Sequence, residues 1–106
     1  MTVEALLVYC TCPDDETTSP LAELLVSKQL AACVNIITGI QSVYAWQGKV
    51  ETSDEALLLI KTTTVAYDEL ETLLREQHPY ELPEIVAVPF SRGLPDYLEW
   101  INQSVR

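Results

Sequence analysis

Between residues 32 and 62 the chain carries two long apolar-rich arms joined by a short turn, and their length narrows the folds open to it. The first arm, residues 32–46 (ACVNIITGIQSVYAW), reads with period two and sets Val34, Ile36, Ile40, Tyr44 and Trp46 on one face. Gln47-Gly48-Lys49 turns the chain and residues 50–62 (VETSDEALLLIKT) return, the pattern of a β-hairpin. At about 3.3 Å per residue an arm of this length extends close to 50 Å, whereas a compact domain of this size has a radius of gyration of about 13 Å. The ribbon must therefore bend or project beyond its own domain, and Gly39 is the natural site of a bulge or bend. Tyr44 and Trp46 near the tip are costly to leave in water. Either another subunit covers them or the ribbon curls over its own helices.

The flanking segments place the hairpin in a fold. Residues 3–11 (VEALLVYCT) are almost continuously apolar, as expected of a central strand covered on both faces. Asp14-Asp15-Glu16 supply capping and first-turn acids to a helix that carries Leu21, Leu24, Leu25 and Lys28 and runs to Gln29. Pro20 requires that helix to start near Ser19 or to have a distorted first turn. Thr63 and Thr64 cap a second helix with Tyr67, Leu70, Leu73, Leu74 and Gln77 on one face, ended by His78-Pro79. A proline-bounded strand over residues 84–88 and a last helix over 96–103, with Tyr97, Trp100 and Ile101 inward, complete the chain. The expected class is α+β: a ferredoxin-like βαββαβ sandwich with a long β-hairpin and an extra C-terminal helix, in a single domain over residues 1–106.

Charge excludes some partners. Sixteen acidic against six basic side chains give a net charge of −10, which repels nucleic acid and phosphate-rich membrane surfaces. No apolar stretch approaches the roughly 18 residues that span a bilayer, and no basic region precedes the first apolar run, so neither a membrane segment nor a signal peptide is expected. Three cysteines, an odd number beside a sizeable core, suit a reducing compartment, and the cytoplasm is the expected location. With only Gly39, Gly48 and Gly93 there is no glycine-rich phosphate loop. There is also no serine nucleophile motif, and one histidine stands without an evident orienting partner. The chain reads as a non-enzyme without an organic cofactor.

The residues able to hold a soft metal are Cys10, Cys12, Cys33 and His78. Cys10 and Cys12 share one face of an extended strand and can chelate one ion. Against this, Cys10 and Cys33 also suit small buried hydrophobes, Cys12 at the strand end beside Pro13 is expected to be exposed, and His78 suits a helix C-cap. A second group, Lys61 with His78, Tyr80 and Glu81, suggests a mixed-charge cleft for a small anionic metabolite. A structural Lys61–Glu81 ion pair is the alternative.

Six segments taken in order carry a resemblance: Thr11-Cys12-Pro13-Asp14, residues 30–36 (LAACVNI), residues 44–49 (YAWQGK), Lys61-Thr62, residues 78–85 (HPYELPEI) and residues 97–101 (YLEWI). In this order and spacing the chain resembles the CutA divalent-cation-tolerance family over nearly its whole length. The resemblance implies a tight homotrimer whose long hairpins pair with neighbouring subunits, much as in PII-type signalling trimers. It implies a role in divalent-cation tolerance, copper above all, through metal binding, with Cys10 and His78 as ligands. Members with two histidines before the proline present two imidazoles, whereas this chain has Gln77-His78. A PII-like trimer sensing a metabolite in an inter-subunit cleft, and a trimeric scaffold for a protein partner, are the other functions it leaves open.

Overall fold

The computed structural model describes residues 4–106, so Val3, the expected first residue of the opening strand, lies outside the described residues. The elements follow as β1 (Ala5–Pro13), α1 (Thr18–Ser27), β2 (Cys33–Trp46), β3 (Lys49–Thr63), α2 (Tyr67–Gln77), β4 (Ile85–Pro89) and α3 (Pro95–Ser104). The four strands form one sheet in the order β2-β3-β1-β4, with every pairing antiparallel. This is the expected βαββαβ order, with α3 as the additional C-terminal helix.

Alternation along β1 and β3 decides where the core lies. Val8, Cys10 and Cys12 pair with Ile60, Leu58 and Ala56, and all six are buried. Against them pack Leu21 and Leu25 from α1, Leu70 and Leu74 from α2, and Ile101 from α3. The opposite face carries Tyr9, Ile37, Val86 and Val88, all exposed. β1 is thus not covered on both faces within one protomer, in contrast to what its continuous apolar run suggests.

The first helix departs from expectation at both ends. It opens at Thr18 with no acid in its first turn. Instead Asp15 Oδ1 accepts from the Thr17 backbone and hydroxyl, and Thr18 Oγ1 donates to Pro13 O, so the acidic run shapes the turn before the helix. Pro20 is the third helical residue, where a backbone N–H has no partner within the helix, and the missing donor costs nothing. The helix stops at Ser27, and Gln29 takes a left-handed φ of 59°. At α2, Thr63 Oγ1 accepts the Ala66 N–H at 3.3 Å, stabilising the turn that leads into the helix.

The hairpin projects, and the protomer measures 47 × 26 × 23 Å with a radius of gyration of 14.4 Å. Trp46 pairs with Lys49, leaving Gln47-Gly48 as a two-residue turn with φ of 50° and 80°, the geometry whose twist matches that of paired strands. Ile37 lies opposite Leu57 but Ile40 opposite Glu55, so β2 contains one residue more than β3 between these pairs. Gly39, with φ of +73°, absorbs it. The extra residue reverses the side-chain parity beyond it. Val34 and Ile36, paired with Ile60 and Leu58, face the helices, whereas Ile40, Tyr44 and Trp46, paired with Glu55, Glu51 and Lys49, face the other way. The single face read from period two is therefore two half-faces on opposite sides of the sheet.

Candidate metal centre and adjoining cavity

β4 pairs with β1 only as far as Cys10, so the last residues of β1 lack a neighbour strand on that edge. The segment after α2 takes its place. His78 follows the helix in an extended conformation, its N–H bonded to Leu74 O. Its ring does not cap the helix carbonyls, as one sequence reading had it, but crosses to β1, where Nε2 lies 2.8 Å from Thr11 O. The Tyr80 N–H donates to Nδ1 at 3.1 Å. A backbone N–H can only donate, so in the neutral ring the proton sits on Nε2 and points at β1.

Beneath this ring the two cysteines of β1 meet it. Cys12 Sγ lies 3.6 Å from His78 Nε2, and Cys10 Sγ lies 4.0 Å from Cys12 Sγ. The three ligand atoms all fall within 4.8 Å of one another. Cys10 is fully buried, Cys12 is 1% exposed and His78 7%. The expected exposure of Cys12 is thus corrected: β1 runs on to Pro13, and two-residue periodicity turns Cys12 to the same covered face as Cys10.

Proximity shifts all three groups. The Cys10 hydrogen bond lowers the Cys12 thiol from 9.0 to about 6, burial opposes this, and His78 adds to the lowering. The same contact acts on Cys10 in reverse, and together with burial holds it protonated far above the usual thiol range. Burial pulls His78 down, but its contacts with Cys12 and the Thr11 carbonyl outweigh burial and leave it raised. The Tyr80 N–H works against that rise, because a protonated ring has no acceptor to offer it.

The other predicted residues part company. Cys33 pairs with Lys61 across β2 and β3, with Lys61 Nζ 3.9 Å from Cys33 Sγ and donating to Asn35 Oδ1. Both lie on the sheet face away from Cys10, so Cys33 is outside the cluster. Lys61 also lies six residues along β3 from Glu55, about 20 Å at strand spacing, which separates it from Tyr80 and Glu81. Within one protomer Lys61 thus stands apart from this group: Tyr80 and Glu81 line a cavity of about 750 Å³ that the protomer's own Lys61 does not reach. Tyr44, Trp46, Glu55 and Glu84 line it too, and no lysine or arginine does. Tyr80 joins cavity and cysteine cluster: its ring centroid lies 4.8 Å from that of His78, and its hydroxyl donates to Glu55 Oε2 at 2.8 Å. Glu55 is the residue sequence reading missed. Its signal was a carboxylate directly abutting the apolar run Ala56 to Ile60.

Residues 6–104 match the family described as CutA1 divalent ion tolerance protein. The chain is 45% identical over 98 residues to the divalent-cation tolerance protein CutA of Thermus thermophilus, covering 92% of this chain and 95% of that protein. It is 46% identical over 105 residues to the chloroplastic protein CutA 1 of rice, spanning 99% of this chain but only 59% of the longer rice protein. The crystal structure of CutA1 from Oryza sativa superimposes with a TM-score of 0.95 at 46% identity, covering 99% of this chain and 96% of that one. The structure of the Thermus thermophilus protein gives a TM-score of 0.93 at 43% identity, covering 96% of this chain and 99% of that one. With nearly every residue matched in sequence and in fold, the chain belongs to the CutA1 divalent ion tolerance family.

Proposed function

We propose that this protein serves divalent-cation tolerance as a homotrimer that binds copper, held as Cu(I) by Cys10, Cys12 and His78. The convergence of two thiols and an imidazole under one covered face carries the reading. Metal–sulfur bonds of about 2.3 Å at a trigonal angle require sulfurs about 4.0 Å apart, and a nitrogen ligand at about 2.0 Å sits roughly 3.7 Å from each sulfur. The observed 4.0 and 3.6 Å fit two of those three edges. Soft, buried donors, three in number, favour Cu(I) over zinc, which prefers a fourth ligand, and over hard divalent ions. The absent second imidazole at Gln77 is offset by Cys12, two residues from Cys10 on the same face.

Thiols and Nε2 bind metal only after losing their protons. Moving the ring proton to Nδ1 sets it against the Tyr80 N–H, so metal uptake would shift the turn from residue 78 to residue 80. Anaerobic titration with Cu(I), Cu(II) and Zn(II), followed by the Tyr80 amide resonance, tests this. Saturable Cu(I) binding tighter than about micromolar that moves the Tyr80 signal supports the reading. Binding unchanged after Cys10, Cys12 and His78 are replaced defeats it.

The trimeric part of the proposal is supported by the sheet face that leaves Tyr9, Ile37, Val86 and Val88 exposed, an apolar surface that another subunit would cover. Three free thiols suit a reducing compartment, and on that ground we assign the protein to the cytoplasm.

A further inference from the structure

We propose that the cavity between the hairpin and the segment after α2 binds an organic cation of the alkylated ammonium class. Three carboxylates, Glu55, Glu81 and Glu84, line it together with the aromatic rings of Tyr44, Trp46 and Tyr80, and no basic side chain offsets them. Glu55 is only 5% exposed. Among the described residues its hydrogen-bond donor is the Tyr80 hydroxyl, and no basic side chain pairs with it. A hydroxyl supplies a hydrogen bond but no charge, and a carboxylate this far out of water favours a positive counterpart.

The rings decide which cation. An inorganic divalent ion gathers oxygen ligands and water and makes no use of aromatic faces. A quaternary or tertiary ammonium presents soft positive charge over a broad apolar surface, which is what aromatic faces beside carboxylates attract. Two of the rings are held before any ligand arrives: the Tyr44 hydroxyl lies 2.7 Å from Ser53 Oγ, and Tyr80 is fixed by Glu55 and by His78. The parity reversal at Gly39 is what places Tyr44 and Trp46 on this side of the ribbon. A volume of about 750 Å³ accommodates a small molecule. The three carboxylates speak against the anionic metabolite expected from sequence.

Choline is the probe for the test, with its uncharged isostere, in which a quaternary carbon replaces the nitrogen, as the control. Calorimetric titration is carried out on the full reduced chain in the presence of a chelator. A quaternary nitrogen has no lone pair and cannot ligate a metal, so this result and that of the copper titration are independent. Saturable choline binding is expected, with the isostere about tenfold weaker. Glu55→Gln and Trp46→Leu should each weaken choline by at least about fivefold. Equal binding of choline and isostere, no saturation, or indifference to both substitutions would overturn the proposal. So would absence of binding in the assembled protein, which would mean that another subunit fills the cavity. Should Glu55→Gln fail to fold, Trp46→Leu on the projecting ribbon still decides the outcome.

Discussion

His78 Nε2 lies 3.6 Å from Cys12 Sγ although 66 positions separate the two residues along the chain. The contact exists because β4 is short: it leaves the Thr11 carbonyl without a strand partner, and the imidazole that satisfies that carbonyl comes down beside the thiol. A backbone requirement and a chemical one are thus met by the same ring.

The first prediction concerns pH. Cys12 is depressed from 9.0 to about 6 on folding, so its thiolate stabilises the fold fully above pH 9 and loses that effect as pH falls through about 6. His78 is raised and acts in the opposite sense, its imidazolium stabilising below the usual 6.5 and ceasing to do so as pH rises through the folded value. Ultraviolet thiolate absorbance in a Cys33→Ser background should titrate with a midpoint of about 6, and His78→Ala should move it upward. A midpoint near the free-thiol value in both proteins rules out the coupling.

Metal affinity should follow the cluster and ignore the third cysteine. Cys12→Ser exchanges a soft ligand for a hard one and is expected to weaken Cu(I) by more than about 100-fold. Cys33→Ser, altered beside Lys61 on the other face of the sheet, should leave affinity unchanged. Competition against a chelator of known Cu(I) affinity measures both. Equal losses would place the metal elsewhere.

Backbone strain can be measured at the bulge. A methyl group at Gly39 meets no atom within 4 Å, so Gly39→Ala is disfavoured only by its left-handed φ of +73°. The expected loss is about 1 kcal/mol in urea unfolding. A neutral result would show that the ribbon relaxes out of the left-handed conformation.

Assembly should fail when the bare sheet face is charged. Val86, 51% exposed and paired with Tyr9, can carry a lysine without disturbing the helix-side core. Val86→Lys is therefore expected to sediment as a folded monomer, and the parent protein, on the proposed assembly, at three times the protomer mass. Unchanged sedimentation of the variant would remove this face from the interface.

What the sequence shows of this architecture depends on how local the determinant is. The hairpin, its turn at Gln47-Gly48 and the irregularity at Gly39 are readable because period-two runs and glycines act over a few residues. The reversal of facing at Gly39 was not: Val34, Ile36, Ile40, Tyr44 and Trp46 are all even-numbered, and only the pairing with β3 reveals the extra residue. Cys12 was misplaced for want of two residues of strand. The separation of Lys61 from Tyr80 and Glu81 also depends on register, which no single segment encodes. Cys10, Cys12 and His78 could be named as ligand types, but their meeting requires the early end of β4.

The extra residue in β2 makes the hairpin two devices in series. Its inner half turns Val34 and Ile36 toward the helices, and its outer half offers aromatic side chains to whatever lies on the far side of the sheet. Removing a single codon at Thr38 or Gly39 would leave the inner half in register and exchange the sides presented by the outer half. Tyr44 and Trp46 would turn away from the side of the ribbon that carries Glu55, so the facing of the aromatic rings is phased by one residue outside the cavity.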